Sequence, residues 1–274
     1  VAAIAHKIYG GKSYLWLSGT TLEFDRNQPL SIKKIKWRLT VDLSYKLATK
    51  YISYLVTGPE SMVDYDATVG GVEKKKIKLL YNDINLKRFE LDPLVKIKIR
   101  QDAREKYEIP GNSTVLLLVH RLSPVRKTML YFPKCMEFLK NAGKLENLYV
   151  IVAGAGPELA AIQEQARNFN ITHSCRFLGN VPNKDIQDLY AAADIFIHPT
   201  YNEGFPRVVI EAMAAGLPIV TTDAGGTREL LGIRQQQMVS EKDDTELFFN
   251  NLKTLAENPD LRNLLANENR THVA

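Results

Sequence analysis

The stretch from His198 to Glu211, HPTYNEGFPRVVIE, carries residue types that suit a phosphorylated ligand. A predicted apolar strand ends at Pro199, and Pro206 suits the first position of a helix because its missing N–H is not needed there. We expect the backbone N–H groups of residues 207–209 to be free, and such a helix start binds anions. Gly204 lets a ligand approach the backbone closely. The segment therefore predicts a diphosphate site.

Two carboxylates bracket this segment, Glu203 in the loop and Glu211 in the helix. In glycosidases the paired carboxyl groups lie ~5–5.5 Å apart in retaining enzymes and ~6.5–9.5 Å apart in inverting ones. The helix alone rises ~7.5 Å from Pro206 to Glu211, at ~1.5 Å per residue. We therefore expect the two carboxylates to hold opposite ends of one extended ligand.

Short apolar stretches alternate with helix-like stretches around this segment. The predicted strands span residues 115–119, 148–153, 175–178, 195–198 and 219–222. The predicted helices span residues 132–141, 158–168, 184–192 and 207–215, and two more follow at 243–257 and 259–269. This alternation indicates a parallel sheet covered on both faces, a doubly wound Rossmann-like domain. Ligands of such sheets bind beyond the carboxyl ends of the strands, where the phosphate-binding segment lies.

The first hundred residues are less regular and predict the end of another α/β domain. Strands are predicted at 14–17, 51–56 and 77–81, with a helix at 37–50. Pro93 and Pro110 punctuate a charged helix between the two domains, and we place the boundary after residue 107. Because the chain begins with Val1, we expect it to be a piece of a longer protein.

The composition is that of an ordinary globular protein. Of 274 residues, 45% are hydrophobic and 24% charged, which excludes a mostly disordered chain. No apolar run approaches the ~18 residues of a membrane helix, and no signal-peptide pattern is present. The two cysteines, Cys135 and Cys175, are too few for a disulfide framework or a Cys-only zinc site, and we expect both to be buried. This cysteine usage suits a reducing cytoplasm.

Positive charge is concentrated in the first part of the chain. Up to residue 106 there are 20 Lys and Arg against 12 Asp and Glu, and thereafter 16 against 19. The basic runs at 33–36 and 74–78 fit either a solvated face or an anionic membrane surface. No zinc finger, basic zipper or RNA-binding aromatic motif accompanies them, so we expect no nucleic-acid partner.

Several further motifs follow in a fixed order along the chain. They are Tyr81-Asn82-Asp83-Ile84 with Phe89, HRLSP at 120–124, VAGAGP at 152–157, FLGNVP at 177–182, EAMAAGLP at 211–218 and AGG at 224–226. Together with the spacing of Glu203 and Glu211, this set resembles the Glu-x7-Glu signature of the retaining GT-B glycosyltransferases of family 4, the glycosyl transferases group 1. The resemblance covers roughly residues 77–270.

The resemblance implies a GT-B fold of two Rossmann-like α/β domains. Residues 1–107 would be a truncated part of the acceptor domain with the linker, and residues 108–274 the nucleotide-sugar donor domain. The transfer activity of this piece alone stays open, because half an acceptor domain does not make a complete acceptor cleft.

The resemblance also assigns roles to individual residues. Glu203 would contact the donor sugar and Glu211 the ribose hydroxyls, since an ionised carboxylate is an acceptor only. Val181 would hold the base through its backbone. The diphosphate would lie on the start of the helix, against a set of backbone groups that comprises Gly204, Phe205, Pro206, Val208 and Val209.

Two basic positions complete the implied site. Arg121 would pair with phosphate, because a planar guanidinium matches two oxygens. The second basic residue of the family lies five positions later, as Lys followed by Gly. Here Arg126 stands at that position and Lys127 replaces the Gly, and both remain candidates. The implied catalytic set is Glu203, Arg121 and Lys127, with Arg126 among the binding residues.

The implied reaction is sugar transfer with retention of configuration. The donor would be a UDP- or GDP-sugar and the acceptor a glycan or lipid-linked sugar, as in polysaccharide assembly, with no metal or other cofactor. The expected location is the cytoplasm or the inner face of the membrane. The alternatives are a GT-B phosphorylase and a non-catalytic nucleotide-sugar-binding subunit.

Three polar features are expected to be structural. His120 and His198 fall at predicted strand ends, where we expect packed core histidines. Asp64-Tyr65-Asp66 has the Asp-x-Asp pattern of metal-dependent transferases, but it lies outside any nucleotide-binding context, so we expect no metal there.

Overall fold

The computed structural model describes residues 9–17, 31–81, 83–89, 92–127, 131–132, 134–135, 137–138 and 148–274. Asn82 and part of the helix predicted at 132–141 lie outside these residues, and the side chains of Lys33 and Lys34 are not described. Contacts divide the chain into two compact units. The first is residues 1–83 with 203–205, and the second is residues 84–202 with 206–274.

The first unit contains a three-stranded parallel sheet in the order β1-β2-β3. Its strands are β1 (Tyr14–Leu17), β2 (Tyr54–Thr57) and β3 (Ile77–Leu79). Its helices are α1 (Ile32–Trp37), α2 (Leu43–Tyr51) and α3 (Glu60–Thr68), with a π-helical turn at Arg38–Asp42 joining the first two. Leu55, at the centre of the sheet, is fully buried and pairs with Leu15 and Ile77.

The Asp-x-Asp sequence lies on α3. Asp66 is buried and accepts a hydrogen bond of 2.7 Å from the hydroxyl of Tyr45. Asp64 faces solvent and forms an ion pair of 3.2 Å with Lys74. The two carboxylates thus have different surroundings, one in the core and one on the surface. Within the described residues, no three His, Cys, Asp or Glu side chains are grouped as metal ligands would be.

The second unit is built on a six-stranded parallel sheet in the order β6-β5-β4-β7-β8-β9. Its strands are β4 (Thr114–Val119), β5 (Leu148–Ala153), β6 (Cys175–Gly179), β7 (Ile195–His198), β8 (Ile219–Thr222) and β9 (Val239–Ser240). Its helices are α4 (Pro93–Lys106), α5 (Leu159–Asn168), α6 (Ile186–Ala192), α7 (Arg207–Ala214), α8 (Thr227–Leu230), α9 (Thr245–Glu257) and α10 (Pro259–Val273). The doubly wound α/β architecture predicted from the sequence is confirmed.

The central strands are covered on both faces, which is why they are continuously apolar. Leu116, Leu117 and Ile151 are fully buried, and Leu116 packs with Val150 in the main hydrophobic cluster. Cys135 and Cys175 are buried and unpaired, as predicted, and burial raises the pKa of each thiol to about 12. No helix within the described residues is long and apolar enough to cross a membrane.

Helix α4 belongs to the second unit. Asp92 caps its start by accepting a hydrogen bond from the N–H of Leu94 at 2.9 Å, and Pro93 occupies the first turn. The contacts therefore divide the chain before α4, whereas the sequence analysis placed the boundary after residue 107. The reason is that this helix is joined to the second unit by ion pairs.

Two arginines tie α4 to the sheet. Arg100 and Arg104 form ion pairs of 2.6 and 2.8 Å with the two carboxylate oxygens of Asp194, just before β7. Arg100 also donates to the carbonyl of Ala193 at 2.8 Å, and Asp194 accepts from the N–H of Val115 at 2.8 Å. One aspartate thereby joins a helix to two neighbouring strands.

Replacing Asp194 by alanine should lower the free energy of unfolding of the second unit by about 2 kcal/mol, because two half-buried guanidinium groups would lose their partner. Asp188→Ala is the matched control, since its 3.6 Å pair with Lys106 is more exposed and should change stability by less than about 0.5 kcal/mol. Urea unfolding followed by circular dichroism measures both. Equal stabilities for the two variants would contradict the role of Asp194.

Candidate functional site

A cavity of about 420 Å³ lies at the carboxyl ends of β4, β5 and β6, facing the start of α7. The sheet order reverses between β4 and β7, so the cavity lies at the switch point of the fold, where such sheets bind ligands. The residues that line it are Val119, His120, Arg121, Ala153, Gly154, Ala155, Asn180, Val181, Ile186 and Val208. Arg121, Val181 and Val208 of the predicted site residues are thus brought together.

The loops after β4 and β5 lie against one another without space for side chains between them. A Cβ at Gly154 would lie 1.8 Å from the carbonyl oxygen of His120, and one at Gly156 would lie 1.9 Å from that of Leu122. The N–H of Leu122 donates to the carbonyl of Ala155 at 3.1 Å. The glycines of the VAGAGP motif are therefore required by this close approach, which places the neighbouring Arg121 on the cavity wall.

The two candidates for the second basic residue differ in their surroundings. Lys127 has a left-handed backbone (φ 52°), which explains why glycine suits this position in the family pattern. Its ammonium lies 3.5 Å from the ring centroid of Tyr201. Burial lowers the pKa of both His120 and His198, and the positive charge of Arg126 lowers it further.

His120 and His198 form a buried pair, with ring centroids 5.5 Å apart. Burial lowers the pKa of His198 to about 3, and the charge of Arg126 adds to this. Burial also lowers the pKa of His120 well below its usual range. Both rings are therefore neutral at pH 7. The prediction of core histidines is confirmed for both, although His120 additionally borders the cavity.

Helix α7 begins at Arg207, and Pro206 is its N-cap with an extended backbone (φ −77°, ψ 102°), one residue before the first helical position that the sequence analysis gave it. The N–H of Val209, however, donates to the carbonyl of Pro206 at 3.1 Å, so it is not the free anion donor that the sequence analysis expected. The tight first turn satisfies this group within the helix, and the side chain of Val209 is fully buried. This leaves the N–H groups of Arg207 and Val208 as the donors at the helix start.

Glu211 lies one turn further along α7. Its Oε2 accepts a hydrogen bond of 2.9 Å from the hydroxyl of Tyr190 on α6. Burial raises the pKa of Glu211, while the Tyr190 bond and the charges of Arg207 and Arg88 act in the opposite direction. The hydrogen bond from Tyr190 thus holds the carboxylate in place, although burial disfavours its charged form.

The loop residues Glu203, Gly204 and Phe205 are grouped by their contacts with the first unit. None of the three lines the cavity described above. Their predicted roles at the donor sugar and the diphosphate stay predictions.

Sequence reasoning missed three residues of this region. Asn180 lines the cavity, Tyr190 contacts Glu211, and Arg88 donates to the carbonyl of Asn183 at 2.6 Å. Asn180 stood inside the FLGNVP motif and could have been listed with Val181. Tyr190 has the pattern of an ordinary core aromatic, and its contact with Glu211 is visible only in the tertiary structure.

Gly154→Ala should lower the melting temperature by roughly 10 °C, because the new methyl group would collide with the His120 carbonyl and displace both loops. Gly111→Ala is the matched control, since a Cβ there meets nothing within 4 Å. Thermal unfolding of the two variants beside the wild type tests this. A melting temperature for Gly154→Ala close to that of Gly111→Ala would show that the loops can separate freely.

Comparison with known proteins identifies a family and several similar proteins. A family model described as glycosyl transferases group 1 matches residues 99–272. An uncharacterized glycosyltransferase of Methanocaldococcus jannaschii, MJ1607, is 26% identical over 185 residues, which are 68% of this chain and 46% of that protein. The putative teichuronic acid biosynthesis glycosyltransferase TuaC of Bacillus subtilis is 29% identical over 160 residues, 58% of this chain and 36% of that protein.

Among solved structures, Alr3699/HepE of Anabaena in complex with UDP and glucose superimposes with a TM-score of 0.79. The two sequences are 20% identical, and the match covers 99% of this chain and 69% of that chain. This likeness shows the fold. The chain spans less than half the length of the two relatives MJ1607 and TuaC.

Proposed function

The chain belongs to the glycosyl transferases group 1 family, and on that premise we propose that it binds a nucleoside-diphosphate sugar and contributes to transfer of the sugar with retention of configuration. The observation that carries the proposal is the cavity at the switch point, bordered by Arg121, by Val181 and by the start of α7. The proposed acceptor is a glycan or a lipid-linked sugar, and the proposed reaction needs no metal.

The diphosphate would lie between Arg121 and the start of α7. Arg121 is exposed on the cavity wall, and the N–H groups of Arg207 and Val208 are not consumed by the first turn of the helix. A guanidinium and a helix start both favour phosphate oxygens. We propose Arg126 rather than Lys127 as the second cation, because Lys127 is engaged with Tyr201 and occupies the glycine position.

The nucleoside would lie on the other side of the cavity. The loop after β6 brings Asn180 and Val181 to the wall, where backbone groups can meet the base edge. Glu211 would accept hydrogen bonds from the ribose hydroxyls, as an ionised carboxylate can. The crystal structure of Anabaena HepE contains UDP and glucose, and this supports testing UDP before GDP or ADP.

Catalysis at such a site would consist of positioning and of charge stabilisation. Arg121, Arg126 and the start of α7 would stabilise the negative charge that develops on the leaving diphosphate. Glu203 would contact the donor sugar, which fixes the reacting carbon for attack by the acceptor. His120 and His198 are neutral and buried, so we assign neither as a base, and the leaving diphosphate would receive the acceptor's proton.

We also propose that the protein works in the cytoplasm against the inner face of a membrane. Apolar side chains are exposed along α1, the π-helical turn and α2 at helical spacing, namely Ile32, Ile35, Leu39, Leu43 and Leu47. Lys36, Lys46 and Lys50 are exposed on the same two helices. An apolar stripe beside basic side chains suits an anionic lipid surface.

Vesicles test this surface. The chain should bind vesicles that contain an anionic lipid at low salt and should not bind neutral vesicles, because both apolar contact and charge attraction are needed. Neutralising Lys36, Lys46 and Lys50 together should abolish the binding in a co-sedimentation assay. Binding that is indifferent to lipid charge or to these three substitutions would contradict the proposal.

The donor site is tested by thermal stabilisation with UDP, GDP, ADP and inorganic phosphate, each with and without EDTA. A ligand at 100 times its dissociation constant should add about 2.7 kcal/mol of stability. We expect one nucleoside diphosphate to stabilise the chain irrespective of EDTA, and Glu211→Ala to abolish the effect. Arg126→Gln should weaken the affinity for that nucleoside diphosphate about tenfold and so reduce the thermal stabilisation. The control Lys127→Gln should leave both unchanged.

The other outcomes separate the alternatives. A response to inorganic phosphate alone would favour a phosphorylase. Nucleotide binding without sugar transfer by the full-length protein would favour a non-catalytic subunit. A well-folded chain that responds to none of the four ligands would contradict the donor site.

A further inference from the structure

We infer that Tyr190 is a positioning residue whose hydroxyl fixes the carboxylate of Glu211 for ligand binding, and that Arg88 positions the loop after β6. The inference rests on the proposed donor site and adds to it two residues that would not touch the sugar. It is drawn from a polar cluster beside the cavity that comprises Tyr190, Glu211, Arg88 and Asn183.

The hydroxyl of Tyr190 lies between two acceptors of α7. It is 2.9 Å from Oε2 of Glu211 and 3.2 Å from the carbonyl oxygen of Val208. A phenol has one proton to donate, and the shorter contact is to the charged group, where hydrogen bonds are stronger. Because Val208 borders the cavity, the hydroxyl lies directly behind the wall on which a ligand would rest.

The ring of Tyr190 has little freedom to move. Its side chain is 1% exposed. Phe89 meets it edge-on with centroids 5.6 Å apart, and Phe196 lies at 5.7 Å. The hydroxyl is therefore held at one place, and the oxygen of Glu211 that it binds is fixed with it. Tyr190 does not bind the other carboxylate oxygen, which would be the one to accept a hydroxyl of a ligand.

The tyrosine also affects the charge state of Glu211. Burial raises the pKa of this carboxyl, and the hydrogen bond from Tyr190 is the largest effect that lowers it. The charges of Arg207, on the same helix, and of Arg88 lower it further. Without the hydroxyl, the pKa of Glu211 would rise and the carboxylate would protonate at a higher pH.

Arg88 binds the loop after β6. Its guanidinium donates to the backbone carbonyl of Asn183 at 2.6 Å and to the side-chain oxygen of Asn183 at 3.2 Å. Asn183 comes two residues after Val181, which lies on the cavity wall. One arginine thus holds the end of the loop that would meet the base and contributes positive charge near the group that would meet the ribose.

The test uses Tyr190→Phe, which keeps the ring and removes only the hydroxyl. The affinity for the nucleoside diphosphate that stabilises the wild type most, among UDP, GDP and ADP, is measured from pH 5 to pH 8. We expect about tenfold weaker binding at pH 7.5, which corresponds to one hydrogen bond to a charged group. Binding of the wild type should weaken as the pH falls through the pKa of Glu211, and Tyr190→Phe should show this weakening at a higher pH.

Three comparison variants make the result specific. Tyr149→Phe removes the hydroxyl of another buried tyrosine of the second unit and should change neither the affinity nor the pH midpoint. Glu211→Gln should bind weakly, and its affinity should not fall further at low pH in this range. In Arg88→Gln, the pH at which binding weakens should shift in the same direction as in Tyr190→Phe. This variant provides the test if the phenylalanine variant does not fold.

An affinity and a pH midpoint for Tyr190→Phe equal to those of the wild type, while Glu211→Gln loses binding, would overturn the inference and leave the donor site intact. A lower melting temperature with no change of midpoint would mean that Tyr190 only packs, and this too would overturn it. A wild type that binds no nucleoside diphosphate would overturn the donor site and the inference together.

Discussion

The cavity depends on the close packing of two backbone carbonyl groups against Gly154 and Gly156. The carbonyl oxygens of His120 and Leu122 occupy the space that a Cβ at residue 154 or 156 would need, with separations of 1.8 and 1.9 Å. Because hydrogen bonds join the same loops, the chain after β4 and the chain after β5 reach the end of the sheet together. Arg121, which stands between the two contact points, is thereby held on the wall of the cavity.

Burial determines the electrostatics around that cavity. The two histidines beneath it are kept neutral by their desolvation and by the charge of Arg126. Glu211 lies partly buried and keeps its carboxylate oxygen in a hydrogen bond with Tyr190. The positive charge therefore comes from the arginines and from the helix start, groups that do not lose their charge near neutral pH. An anionic ligand would meet fixed positive charge without proton transfer.

Several predictions succeeded because one local cause fixed them. The five strands predicted in the second half are present, since strands buried on both faces must be continuously apolar. The start of α7 beside Pro206 was found to within one residue, although Pro206 is the N-cap and not the first helical residue. The expected free N–H of Val209 failed, because the first turn closes on the carbonyl of Pro206 and no residue type shows that in advance. The contacts of α4 within the second unit join residues some ninety positions apart, as in the ion pairs of Arg100 and Arg104 with Asp194, and no local pattern shows them.

The sequence by itself determined the alternation of strands and helices from β4 to β8, the glycine and proline positions of the loops, and the family, because these features follow from residue types at short spacing. Only the tertiary structure decided which charges act together. It separated the surroundings of Arg126 from those of Lys127, although the two are neighbours in the chain, through the left-handed backbone at Lys127. It also brought Tyr190 to Glu211 across 21 residues. Contacts of that kind arise from packing between elements, and packing depends on the whole core rather than on any local pattern.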